Sequence, residues 1–269
     1  MHTTPPVDNE LVIGIVADFN PHNLARLLER NCLPSRTRCH ATPFGQSLPT
    51  LLTPTSEFWE TKCDAVMIWT LPELAVPEFS KALNWSPFSL EDALAQVDEF
   101  VSLVERGTAS VPMVILPTWT APAYGHGLGP LEMRNRLGAT NTLMRMNLRL
   151  ADSLESNPRM ILLDAQPWSR AAGDNSFSPR LWYRSKTLFQ NEVFDAAAKD
   201  IAAILAASRG QARKIIVVDL DNTLWGGIVG DLGWENLRLG GHDPIGEAFV
   251  DFQRALKRLT KRGILLAIS

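Results

Sequence analysis

Lys214-Ile215-Ile216-Val217-Val218-Asp219-Leu220-Asp221-Asn222-Thr223-Leu224 is the stretch on which the fold turns. A short apolar run that stops abruptly at polar residues reads as a buried strand. Two acids stand two apart at its carboxyl end, where open α/β sheets place their sites. The strand is turning into a loop there, so the Asp219 and Asp221 carboxylates can converge on one centre. The amides of Leu220, Asp221 and Asn222 can then point at a bound oxyanion. Carboxylates so close repel unless a proton or a cation sits between them. A divalent metal resolves this, and hard oxygen donors select Mg²⁺. A bare Asp-x-Asp pair is ordinarily a turn or a helix cap. The apolar run before it and Thr223-Leu224-Trp225-Gly226-Gly227 after it favour a site.

Downstream, a glycine-rich stretch runs from Trp225-Gly226-Gly227 to Gly240-Gly241. Asp243-Pro244 opens a helix as N-cap and first-turn proline. Its apolar stripe is Ile245, Ala248, Phe249, Phe252, Leu256 and Leu259. Gly263 stops it, and 264–268 is the next strand. Upstream, Ser208-Arg209-Gly210-Gln211-Ala212 reads as an inter-domain joint, giving domains 1–208 and 213–269. The first domain shows strands at 11–17, 65–69, 111–116 and 160–163. Helices are expected from Asn20-Pro21 to about Arg30, and over 90–106, 132–154 and 191–207. In the helix 132–154, Leu137, Met144, Leu148 and Ala151 form the expected core face. Strands alternating with helices predict an α/β fold, a parallel sheet wrapped on both faces.

The chain of 269 residues has a net charge of −3, and its pI is about 6.0. That removes the electrostatic case for nucleic acid and for a polybasic membrane surface. No apolar run approaches the ~20 residues of a spanning helix. The longest candidate, 111–123, is broken by Pro112, Pro117 and Pro122. The first ten residues show no apolar signal core, so a cytoplasmic location is expected. Three cysteines, Cys32, Cys39 and Cys63, fit free thiols in a reducing compartment. Cys32, Cys39 and His40 are too loosely spaced to argue a metal site. His126 reads as a loop histidine among glycines, and Arg145 and Arg149 as a solvated helix face that could also meet an acidic carrier protein.

The segment 218–231, with its Asp219-Leu220-Asp221-Asn222-Thr223, resembles the first motif of the haloacid dehalogenase (HAD) superfamily. Together with 246–253 and 261–267 it is similar to the FkbH-like branch (HAD subfamily IIIC). The resemblance implies Asp219 as nucleophile, forming an aspartyl-phosphate. It implies Asp221 as the acid that protonates the leaving group and then activates water. Mg²⁺ would bind the Asp219 carboxylate and the Asp221 main-chain carbonyl. Leu220, Asn222, Thr223 and Ser269 would contact the phosphoryl group of a phosphorylated small-molecule substrate.

The FkbH-like resemblance also implies an N-terminal domain of SGNH-hydrolase-like, three-layer (flavodoxin-like) fold. It implies transfer of a glyceryl unit from bisphosphoglycerate to an acyl carrier protein with loss of phosphate. Polyketide extender units, tetronates or surface polysaccharides are the products such members serve. An SGNH enzyme carries a nucleophilic Ser just after its first strand, but here that place reads Ala17-Asp18-Phe19-Asn20. The block near Tyr183 to Gln190 has no His, so no triad is expected, and the domain is left a docking or lid role. The family's later Lys and metal-binding acids find no counterpart after Ser269. On this reading 213–269 is the front part of a HAD-type domain, and little turnover is expected of residues 1–269 alone. A non-catalytic binding protein and a generic sugar phosphatase are the alternatives.

Overall fold

The computed structural model describes residues 10–32, 36–122, 127–240 and 243–269. Two compact units divide the chain, Met1–Leu205 and Ala206–Ser269. The first holds strands β1 (Leu11–Ala17), β2 (Thr37–Ala41), β3 (Ala65–Trp69), β4 (Val114–Pro117) and β5 (Met160–Leu163). They form one fully parallel sheet in the order β2-β1-β3-β4-β5, with Ile13 beside Cys39, Ile15 beside Met67 and Ile115 beside Ile161. That order is the flavodoxin-like one, with crossovers that place helices on both faces. The α/β architecture expected from the alternation of strands and helices is what the chain adopts.

Each face of the sheet has its own core. Ile13, Ile15 and Met67 pack with Leu24 and Leu28 of the helix His22–Asn31, and with Phe194 and Ile201 of the helix Asn191–Ser208. On the other face Val66, Ile68 and Val114 meet Val97 and Val101 of the helix Leu90–Gly107 and Met146 and Leu150 of the helix Ala139–Leu154. The central strands are apolar on both sides because both sides are covered.

Several sequence expectations shift, and the strand expected at 111–116 starts only at Val114. The helix expected at 132–154 begins only at Ala139. Glu132 is turned into the loop, and a Cβ on Gly138 would sit 1.9 Å from the Glu132 carbonyl oxygen, a space closed to any side chain. The buried face of that helix is Thr142, Leu143, Met146, Leu150 and Leu154, whereas Met144 and Leu148 are 53% and 67% exposed. Asn147 fixes this rotation: its amide accepts the Trp119 N–H at 2.8 Å and donates to the Trp119 carbonyl at 2.9 Å. The first helix starts at His22, and Asn20 Oδ1 accepts the His22 N–H at 3.1 Å. Finally, β2 carries no apolar run; it is an edge strand whose Thr37-Arg38-Cys39-His40-Ala41 is only partly buried.

The second unit contains β6 (Ile215–Val218) and β7 (Leu265–Ile268), paired in parallel with Ile215 beside Leu265 and Val218 beside Ile268. Between them runs the helix Pro244–Thr260, whose N-cap Asp243 accepts the Ile245 N–H at 3.3 Å. Of its expected stripe only Leu256 is buried, while Ile245 and Phe252 stay exposed.

Candidate active site

The site is built on the loop that leaves β6. Val218, the last residue of the strand, is buried, and Asp219 follows it into solvent. The Asp219 carboxylate accepts the N–H of Leu220 at 2.8 Å. Asp221 is half-buried and anchored from two sides, since its Oδ1 accepts the Trp225 indole N–H at 3.0 Å and the Val229 N–H at 3.2 Å. Asn222 takes a left-handed backbone conformation, φ 54°. Its Oδ1 accepts the Gly227 N–H at 2.9 Å, and its own N–H donates to the Gly227 carbonyl at 3.3 Å. The Thr223 and Leu224 amides both turn back onto the Leu220 carbonyl, at 3.2 and 2.9 Å.

Further along, Gly226 and Arg238 exchange two backbone bonds, 3.1 and 2.9 Å, which pair the start of the glycine-rich stretch with residue 238. Gln253 of the helix Pro244–Thr260 donates to the Leu224 carbonyl at 2.5 Å and ties helix to loop. Ser269 follows β7, and its N–H donates to the Val218 carbonyl at 3.2 Å, at the same sheet end as the acid pair. Asn222 and Thr223 border an open hollow of about 420 Å³ with Ile245, Ala248, Phe249 and Phe252.

Asp219, Leu220, Asp221, Asn222, Thr223 and Ser269 thus lie together where β6 and β7 end. The amides of Leu220 and Asn222, expected to face an oxyanion, are instead engaged within the loop. Sequence reasoning missed Trp225 and Gln253, whose polar atoms hold Asp221 and Leu224. Among the described residues no group of three or more His, Cys, Asp or Glu is arranged to hold a metal. The donor set at this site still fits Mg²⁺ in kind, because that ion uses one or two carboxylates and fills its remaining positions with water and substrate phosphate.

In the first unit, Asp18 stands where β1 ends and is buried. Its carboxylate accepts the Ser47 hydroxyl and, at 2.8 Å, the Leu71 N–H. Burial pushes its carboxyl up, against both hydrogen bonds. Nearby, burial and then the Asp18 charge raise Glu73 to about 7, and Glu73 Oε2 finds no hydrogen-bond partner among the described residues. No signal in the sequence marked this pair. Burial lifts the Cys39 thiol to about 12 and the Cys63 thiol to about 11, which keeps both protonated and unreactive. Arg149 is committed to a two-pronged pair with Asp98, 2.8 and 2.7 Å, and Arg145 donates to Asn141 at 2.9 Å. His126 lies outside the described residues. None of the described helices is long and apolar enough to cross a membrane.

No protein-family model matches the chain, and no curated protein matches it. Among solved structures, the N-terminal part of the protein BF1531 from Bacteroides fragilis, containing a phosphatase domain complexed with Mg, superposes with a TM-score of 0.81 at 22% identity. The match covers 96% of this chain and 68% of that one, and it establishes a shared fold across both units. A lipase from a goat rumen metagenome reaches a TM-score of 0.43 at 13% identity, over 72% of this chain and 96% of its own. The salicylyl-acyltransferase SsfX3 of a tetracycline biosynthetic pathway reaches 0.42 at 11% identity, over 77% of this chain and 56% of its own.

Proposed function

We propose that the chain belongs to a Mg²⁺-dependent phosphoryl-transfer enzyme of the HAD type, with Asp219 as nucleophile and Asp221 as general acid and base. The observation that carries this is the arrangement after β6, in which Asp219 is left open to solvent while Asp221 is anchored by Trp225 and Val229. A nucleophile must reach phosphorus, whereas a proton donor must be positioned. Fold likeness to a structure that contains a phosphatase domain with Mg supports the reading.

In this mechanism an Asp219 carboxylate oxygen attacks phosphorus and the ester P–O bond breaks. Asp221 gives its proton to the leaving oxygen. A water then loses its proton to Asp221 and attacks the phosphorus, releasing inorganic phosphate and free Asp219. Mg²⁺, held by the Asp219 carboxylate and the Asp221 carbonyl, would neutralise phosphoryl charge. Asn222 and Gly227 keep the loop closed so that the two acids stay in place.

The FkbH-like resemblance points to bisphosphoglycerate without fixing it: a carrier thiol would attack the acyl carbon and displace the acyl phosphate, and the Asp219 chemistry would hydrolyse the remaining phosphate ester. Phosphoryl labelling tests the chemistry. With Mg²⁺ and acetyl phosphate, the protein should gain the mass of one phosphoryl group on Asp219. Asp219→Asn should gain none. Asp221→Asn should hold the label longer, by about 10²-fold or more. Labelling that persists in Asp219→Asn would sink the proposal. Incubation with bisphosphoglycerate and an acyl carrier protein tests the finer step, and phosphate release without a loaded carrier would leave a generic phosphatase.

A further inference from the structure

The first unit carries a hollow of about 130 Å³ beside the segment that leaves β4. Phe79, Leu83, Trp85, Pro122, Ala139 and Leu143 line it. An apolar cavity of roughly 150 Å³ is enough to take up a benzene ring. Glu132 and Thr140 also reach the wall, yet their polar atoms are engaged. The Glu132 carboxylate accepts the Leu128 N–H at 2.6 Å, the Thr140 N–H at 2.8 Å and the Thr140 hydroxyl at 2.7 Å. Among the described residues the rest of the wall is apolar, which favours an apolar guest.

Trp85 supplies an independent observation. The helix Pro77–Leu83 ends in Asn84, and the Trp85 and Ser86 amides close the turn onto the Ala82 and Lys81 carbonyls, at 3.2 and 2.9 Å. Trp85 follows the cap at φ 57°. Helices usually place Gly there, because a bulky L-residue is strained in that conformation. Burial does not account for the choice, since Trp85 is 61% exposed. What the indole gains at this position is a place on the wall of the hollow.

We propose that this hollow binds an apolar group the size of a single aromatic ring, carried by a small molecule, with Trp85 as its stacking wall. The inference goes beyond phosphoryl transfer and does not depend on it. Toluene is the probe. In fluorotryptophan-labelled protein, the Trp85 resonance, identified by its loss in Trp85→Gly, should shift saturably with toluene. Saturation-transfer NMR on toluene should show about fivefold weaker binding to Trp85→Gly. The thermal midpoint of that variant should hold or rise, because Gly suits the turn. Ala121 also lines the hollow, and Ala121→Leu, which adds bulk there, should weaken binding about tenfold. A shift that never saturates, or affinity unchanged in both variants, would overturn the proposal. So would a lowered midpoint in Trp85→Gly with unaltered affinity, which would make Trp85 a structural residue.

Discussion

Asn222 shows how much one residue does in the acid loop. Its left-handed backbone suits Asn or Gly, and its side chain also replaces a backbone partner for Gly227. Asn222→Gly should keep the turn but free the Gly227 N–H, raising its hydrogen-exchange rate several-fold. Asn222→Ala loses both features and should cost about 1–2 kcal/mol locally, with a larger rise at the same amide. Glu73 acts through its protonation. In the fold it keeps its proton to about 7, against 4.5 for an ordinary Glu. Its raised value means that stability is full below the ordinary Glu range and is lost as pH rises through about 7. Glu73→Gln stays neutral, so it should be the more stable protein at pH ~8, by at most about 3 kcal/mol. Chemical denaturation at pH ~4 and ~8 checks this, and the two proteins should converge at the lower pH.

At the scale of elements, the helix Ala139–Leu154 is the instructive case. It carries two apolar stripes, and periodicity alone selects the wrong one. Leu150→Ala should cost about 2–4 kcal/mol, since Leu150 is buried against the sheet. Leu148→Ala should cost within about 0.5 kcal/mol. Equal costs, measured by urea unfolding, would mean the helix is rotated. Elsewhere the local code was sufficient. Ser89 accepts the Asp92 N–H at 3.1 Å as N-cap of the helix Leu90–Gly107, and Asp243 caps the helix Pro244–Thr260. In the helix Leu90–Gly107 the expected stripe of Ala93, Val97, Phe100, Val101 and Val104 is the buried one, because a strong cap and a single apolar stripe leave no second solution.

For the whole molecule, the two units differ in kind. Among the described residues, those of the first enclose two cores around five strands, whereas the second has two strands with Ile215, Val217, Leu265 and Ile268 exposed. Units with separate cores can open in separate steps. Leu150→Ala should therefore speed hydrogen exchange in β1, β3 and β4 while leaving β6 and β7 unchanged. Acceleration of both sheets together would show one cooperative unit instead.

The sequence by itself determined the parallel α/β plan and the placing of Asp219 and Asp221 just past the end of a strand. Both follow from local pattern: parallel strands read as apolar runs, and their ends are where polar residues abruptly begin, although β6, expected to be buried, buries only Val218. Tertiary structure alone decided that the polar segment Thr37–Ala41 becomes an edge strand, that half-buried Glu73 lies beside buried Asp18, and which stripe of the helix Ala139–Leu154 faces inward. Burial is a property of what a residue meets, and those neighbours come from distant parts of the chain.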